Sequence, residues 1–422
     1  MSTFHTGRPL GLPAAFTPRR LSALLSLCLS FMLPAQALTY AEARQLAERQ
    51  NPGLRAQQFA LEGASAAQPA AGTLPDPRLS LGIENLPASG TDRWSLSRDF
   101  MTMKRIALMQ EVPNQAKRTA RLEGAQARTE RERAMLQVQR LQVRQALDLA
   151  WITAQSLEDK RALLHELQVE NQRLQDTLPA RIAGGAPATD LLMARQEALS
   201  LADRQDELQR DADKVRATLR RLLGPQGDEA LEGDIPLPDL PPEDFKARLT
   251  HHAALAVYPA MLAMARAEIN EANAESRGDW AWEVAYSRRG AQWGDMVSFQ
   301  LSFDLPWQKG KRQHPIATAK QRDLERIEAE REEAERRHRQ ELEEELAELQ
   351  SLGRQVERLD GHALPLAQDR VALALSSYQA GRADLAAVLG ARGQVLEQRL
   401  RRIDLQAQRS GLLARLHSLI AD

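Results

Sequence analysis

Two periods of apolar residue alternate along this chain, and their order repeats. From Leu79 to Ile83 the apolar side chains recur at every second position, with Ser80, Gly82 and Glu84 on the opposite side. That spacing predicts a strand with one apolar face. A weaker extended stretch sets Ile106 and Leu108 against Ala107 and Met109 and ends at Pro113. The pattern returns more strongly later. Trp280, Trp282, Val284 and Tyr286 alternate with Ala281, Glu283, Ala285 and Ser287. Then Val297, Phe299, Leu301, Phe303 and Leu305 alternate with Ser298, Gln300, Ser302 and Asp304.

Elsewhere the period is helical. Leu38-Thr39-Tyr40-Ala41-Glu42-Ala43 opens a helix, with Thr39 as N-cap and Glu42 at the capping-box position. It runs toward Asn51-Pro52 and resumes from Leu54 to about Ala71. Between Ala125 and Leu178 there is neither Gly nor Pro, and Leu136, Leu141, Leu147 and Trp151 keep helical spacing. A helix of about 54 residues is about 80 Å long. It cannot fold back into a ball, so it must pack along other long helices. Gly184-Gly185-Ala186-Pro187 ends it, and a return helix starts at Thr189 or Asp190 and reaches Leu223. In the second half, Phe245 to Ser276 reads as helix, with Leu255 in the place of Leu54. A further helix runs to about Tyr378, is broken by Gly381, and returns from Leu385 to about Ile420.

Each pair of strands meets its long helix at a similar joint. The first is Met109-Gln110-Glu111-Val112-Pro113-Asn114-Gln115-Ala116-Lys117-Arg118. The second is Ser302-Phe303-Asp304-Leu305-Pro306-Trp307-Gln308-Lys309-Gly310-Lys311-Arg312. Pro113 and Pro306 suit strand ends, because proline cannot donate to a ladder. The prolines lie about 193 residues apart, so the chain reads as a tandem duplication. The expected organisation is a signal peptide over 1–37 and a first repeat over 38–223, with strands at about 77–113 and a helical hairpin at 114–223. A Pro/Gly/acid-rich linker over 224–245 leads to a second repeat over 246–422, with strands at about 279–306 and a hairpin at 311–420. The fold class is mainly α with a small membrane β part.

Composition narrows the function. Of 422 residues, 27% are charged but only 4% are aromatic, and 56 basic side chains balance 57 acidic ones. No excess of positive charge favours nucleic acid. Arg19-Arg20, the apolar run Leu21 to Leu33 and Ala35-Gln36-Ala37 have the form of a secretory signal. The mature chain would begin at Leu38 and lose Cys28, the only cysteine. Later stretches are too polar for a membrane helix, so any membrane entry must use strands. Trp94, Trp280, Trp282, Trp293 and Trp307 sit in or beside the strands, as at the interfaces of a membrane barrel. Four strands cannot close a barrel with a lumen, so several chains must pool theirs.

Little points to catalysis or to bound cofactors. The eight histidines form no metal-ligand spacing, and His251-His252 reads as a surface pair. Met101 and Met103 have the softness to hold Cu(I), though packing is the ordinary role of such residues. The i,i+4 pairs Glu332/Arg336, Glu333/Arg337 and Glu335/Arg339 describe a solvated helix face. No Gly-x-Ser-x-Gly, P-loop or dinucleotide loop is present. A conduit or scaffold is expected, not an enzyme.

The order helix, two strands, long helix, return helix, occurring twice, resembles the TolC family of outer-membrane efflux proteins. The carriers are Leu38 to Ala43 with Asn51-Pro52, both joints, and Tyr378-Gln379-Ala380-Gly381 with Val388-Leu389. Pro77 to Glu84 and Met109 to Pro113 look most like its heavy-metal branch, cobalt-zinc-cadmium or copper-silver. The resemblance implies a homotrimer in outer-membrane lipid, with twelve strands in one β-barrel and twelve long helices in a periplasmic tunnel. It also implies a periplasmic adaptor and an inner-membrane resistance-nodulation-division pump as partners. The chain itself would be a passive exit duct. The tip turns, with Gly185, Asp190, Leu191, Gly381, Arg382, Asp384 and Leu385, would meet the adaptor. Asp190, Arg382 and Asp384 are candidates for a polar constriction. Some relatives close the tip with two aspartates, which here correspond to Ala387 and Gly390, and Leu27 spoils the lipid-anchor motif. A duct for drug efflux or type I protein secretion shares this fold. A soluble periplasmic coiled-coil scaffold is the reading from another class, but it has no need of Trp-rich strands.

Overall fold

The computed structural model describes residues 37–237, 241–248 and 252–420. Residues 1–36 of the expected signal peptide, Cys28 among them, and His251 lie outside them.

Two short helices lead into the first pair of strands. Helix α1 (Tyr40–Gln50) follows the two-residue strand β1 (Leu38–Thr39) and begins with the expected capping box of Thr39 and Glu42. Helix α2 (Pro52–Ala71) is N-capped by Asn51, whose side chain accepts from Gly53 N and Leu54 N. Strands β2 (Arg78–Glu84) and β3 (Met103–Val112) follow. Helix α3 (Gln115–Ala183) has 69 residues, longer than the Gly/Pro-free window, and absorbs both Gly124 and Pro179. At 1.5 Å per residue it is about 100 Å long. Helix α4 (Thr189–Leu223) returns along it.

The connecting segment is folded onto the first hairpin. A 3₁₀ turn (Gly224–Asp228) precedes strand β4 (Leu231–Glu232), which pairs in parallel with β1. Gly233 O accepts from the fully buried Trp151 indole at 3.0 Å, and the Tyr40 ring meets Trp151 edge-on at 5.6 Å. Composition marks this segment as a break between helices. It does not show that its carbonyls satisfy a buried tryptophan.

The second half differs from expectation in three places. The stretch from Phe245 to Ser276 is not one helix. It forms α5 (Pro242–Arg248), α6 (Ala253–Ala274) and a 3₁₀ turn (Glu275–Arg277). Phe245 is fully buried, and His252 caps α6. Strands β5 (Trp280–Arg288) and β6 (Met296–Phe303) come next, and β6 stops before Leu305: Asp304 N still bonds its register partner Asp279 O at 2.8 Å, but the next residue facing β5, Pro306, has no N–H to give. The second long helix is α7 (Gln313–Arg358) and α8 (Leu364–Gln379), joined by a π-helical turn (Leu359–Ala363). Pro365 explains the turn, since it has no N–H to give a carbonyl in the preceding turn. Helix α9 (Leu385–Leu419) returns.

The four long strands form one antiparallel sheet in the order β2-β3-β5-β6. In the hairpin region α4 packs on α3, α3 on α9 and α9 on α8. The core is a series of small clusters along this stack, the largest around Leu147, Trp151, Leu219 and Leu223. That follows from the length of the helices, which leaves no centre to fill.

Candidate conduit surfaces: sheet, joints and hairpin tips

Directly opposed residues of an antiparallel pair lie on the same face, so the register sorts the sheet. Leu79, Leu108, Val284 and Phe299 fall in one row, and Leu81, Ile106, Tyr286 and Val297 in the next. Gln110, Trp282 and Leu301 make a third, and Val112, Trp280 and Phe303 a fourth. This face stays open: Leu81 is 72% and Phe299 79% exposed. The other face is polar or small apart from Met103, Met109 and Met296, with Ser80, Ala107, Ala285 and Ser298 in one row. On it Arg105 reaches Glu84 at 2.9 Å and also pairs with Glu283. Among the described residues, both edge strands, β2 and β6, have one side unpaired.

At the end of the sheet nearer the helices, the joints converge on the Gly278-Asp279 turn. The Asp279 carboxylate accepts from Asn114 N at 2.8 Å, from Asn114 Nδ2 at 3.0 Å and from Lys117 Nζ at 3.0 Å. Lys117 also reaches Glu275 at 2.5 Å. Burial works against the Lys117 charge, but its hydrogen bonds to the Glu275 and Asp279 carboxylates outweigh it and raise its pKa. Burial likewise opposes ionised Asp279, yet the Asn114 N–H and Lys117 hold its pKa below the ordinary carboxylate value. Pro113 is buried here, and Pro306 is half-buried.

At the far end of the hairpins the two tip turns are built alike. Gly185 has φ 102° and Gly381 φ 69°. In each turn the next N–H reaches back over five residues, Ala186 N to Arg181 O at 3.0 Å and Arg382 N to Ser377 O at 2.9 Å. These are Schellman turns, which need a left-handed residue. The acids differ. Asp384 is the exposed N-cap of α9 and accepts from Ala387 N at 2.9 Å. Asp190 lies inside the first turn of α4, is 3% exposed, and accepts from the Tyr378 hydroxyl of the other hairpin at 2.8 Å. Burial, then the bond to Asp190, raises the Tyr378 pKa. The Arg181 guanidinium lies 4.6 Å from the Tyr378 ring centroid.

The sequence therefore locates the right turns but assigns their residues one role where the structure shows several. Leu385 is buried, and Leu191 packs beside it in a cluster with Leu178, Ala194 and Val388. Arg382 and Asp384 remain exposed. Tyr378 carries part of the family resemblance, but nothing local pairs it with Asp190, which lies 188 residues away. Met101 stands in a bend outside β3 and Met103 within the strand, so the two do not share an extended segment. His252 is half-buried, not a surface residue. Among the described residues, no group of three or more His, Cys, Asp or Glu is placed to hold a metal ion. Among them also, no helix is long and apolar enough to cross a membrane.

No protein-family model and no curated sequence matches the chain. Solved structures do. The outer membrane protein VceC of Vibrio cholerae superposes with a TM-score of 0.76 at 18% identity, over 90% of this chain and 95% of its own. The CmeC outer membrane channel of Campylobacter jejuni gives 0.74 at 12%, over 90% and 85%. CusC, described for the conformational changes of folding and transmembrane channel formation, gives 0.71 at 16%, over 90% and 91%. The chain has the TolC-like fold. At these identities the likeness establishes architecture alone. Aligned on that architecture, the four-stranded sheet is the small β part and the two hairpins are the long α part.

Proposed function

We propose that the chain is an outer-membrane exit duct of a tripartite efflux system and has no enzymatic role. The observation that carries this reading is the sheet. It has one face that is apolar except for Gln110 and the Lys104–Arg288 row, one mostly polar face, and unpaired edges on both sides. Such a sheet is stable in lipid only when copies close the edges into a barrel, since unpaired backbone groups in hydrocarbon cost several kcal/mol each. The apolar rows then face lipid and the Arg105 face lines the lumen.

The hairpins support the same assembly. Helices α4 and α8 flank the four-helix stack, and each leaves leucines exposed seven residues apart. Leu192 and Leu199 on α4 are 63% and 69% exposed; Leu366 and Leu373 on α8 are 67% and 69%. Seven residues are two helical turns, so each pair forms a stripe suited to a long neighbouring helix. A homotrimer supplies that neighbour three times. The exposed tip residues, Gly185, Arg382 and Asp384, offer the adaptor its contact, and an inner-membrane resistance-nodulation-division pump drives the substrate through.

For the substrate we propose heavy-metal cations. The support is the likeness of Pro77 to Glu84 and Met109 to Pro113 to the metal branch. Deleting the gene should sensitise cells to copper, silver or a divalent metal, and outer-membrane extracts should hold heat-modifiable trimers. Lost drug or protein export with unchanged metal tolerance would refute the metal substrate and leave the duct. Absence of trimers from the outer membrane would refute the duct.

A further inference from the structure

The apolar face of the sheet carries charge in one place. Among the strand residues in its rows, Lys104 and Arg288 are the only charged ones. They are direct cross-strand partners, in the row that begins with Ile83. Like charges directly opposed on a sheet face destabilise it. Both side chains are exposed. Among the described residues neither forms an ion pair, and Asp295, one residue before β6, is engaged by the Tyr286 hydroxyl. The Lys104–Arg288 row lies at the loop end of the sheet, farthest from the hairpins. Aromatic side chains gather at that end. Trp94 is 60% and Phe100 54% exposed, and Phe100 meets the Trp293 ring edge-on at 6.1 Å. Arg93, on the same loop, adds a cation over Trp94 at 5.8 Å.

We propose that Lys104 and Arg288 form a binding site for the phosphate of a membrane-lipid headgroup, in the leaflet reached by the loop end of the sheet. The inference rests on the barrel reading above. Two cations whose Cβ atoms stand about 5 Å apart can share one phosphate, which turns their repulsion into attraction to a common anion. The apolar rows beside them take the acyl chains, and the aromatic residues mark the level of the headgroups. Lumen solutes do not reach this face, so the occupant is a lipid and not the transported species.

The test uses the full-length protein, purified in detergent and reconstituted in phosphatidylcholine vesicles with or without phosphatidic acid. Co-flotation and protease protection first read insertion. Native mass spectrometry then reads retained lipid. Each basic residue near an anionic surface contributes about fivefold, so K104Q/R288Q should retain on the order of 25-fold less phosphatidic acid than the parent. The charge-conserving K104R/R288K should keep it. If the double glutamine variant fails to insert, Lys104→Gln alone should show the fivefold loss. Insertion with equal retention by parent and K104Q/R288Q overturns this inference and leaves the duct. Displacement of phosphatidic acid by millimolar inorganic phosphate assigns the site to a soluble anion and overturns the lipid. Failure of the parent to insert overturns the barrel reading and this inference together.

Discussion

The two strand-to-helix joints share a sequence pattern and fold differently. After Pro113 the helix begins within two residues, and Asn114 both caps it and binds Asp279. After Pro306 the chain runs exposed through Trp307 to Lys311 before α7 begins, and no side chain caps that helix. The residue after the proline makes the difference. Asparagine offers an acceptor to Lys117 N and donors to Ala274 O and Gly278 O. Tryptophan has no acceptor to offer, and Trp307 stands 85% exposed. The first joint is thus a lock between the repeats, and the second is a loose strap whose indole suits a membrane interface.

Glycine substitutions break this comparison most sharply. Gly278 has φ 70°, and a Cβ there would lie 2.2 Å from Asp304 O. Gly278→Ala should cost about 3 kcal/mol or more, from left-handed strain and overpacking together. Gly310, in the second joint, has open space where its Cβ would go. Gly310→Ala should stay within about 0.5 kcal/mol. Asp279→Ala follows, at about 2–3 kcal/mol, because it strands the Asn114 N–H and half the partners of a buried ammonium. Asp304→Ala should be near neutral. Thermal unfolding of the full-length protein measures all four, and equal costs at Gly278 and Gly310 would end the lock-and-strap distinction.

That asymmetry marks how far the sequence could be read. Strand alternation revealed the sheet, because a two-residue period with one apolar face has few other meanings. Long helices were legible from missing Gly and Pro, though α3 outran the rule by carrying Gly124 and Pro179. The tip turns were legible because Gly185 and Gly381 meet a backbone need that is local. Roles that depend on distant partners were not. Asp190 looks like any first-turn acid until Tyr378 arrives from the other hairpin. The fold of Gly233 against Trp151 is hidden for the same reason.

The tips sharpen the comparison with smaller effects. Tyr378→Phe leaves the buried Asp190 carboxylate without that donor and should cost about 1–2 kcal/mol. Its effect should be on the coupling between hairpins, read as faster hydrogen exchange at residues 374–391 and 178–194 together. Asp384→Ala removes only a cap, at about 1 kcal/mol, and should loosen the start of α9 alone. If both variants loosen both hairpins, Asp384 couples the hairpins as Asp190 does.

The smallest expected effect separates the repeats by chemistry. Asn51 caps α2, and His252, three residues before Leu255 as Asn51 is three before Leu54, caps α6. Asparagine does not titrate. His252 Nδ1 accepts from Ala254 N at 3.3 Å, and the ring also bonds the Ser418 backbone of α9. Its ring centroid lies 4.7 Å from that of His338 on α7, which contacts Glu341 at 3.1 Å. Burial first, and His338 second, depress the His252 pKa, against smaller opposing effects of Ser418 and Glu341. The neutral ring is therefore favoured by folding. Its contribution is complete above the unfolded pKa of about 6.5 and declines as pH falls below it, until the folded value is reached. The loss should not exceed about 1 kcal/mol, since protonating Nδ1 forfeits one N-cap. His252→Asn keeps an acceptor for Ala254 N and gives the second repeat the cap of the first. Melting temperature should then vary less between about pH 7 and 5 in the variant than in the parent, with little change at pH 7.5. An unchanged slope would show that the His252 ring does not set the acid sensitivity of the protein.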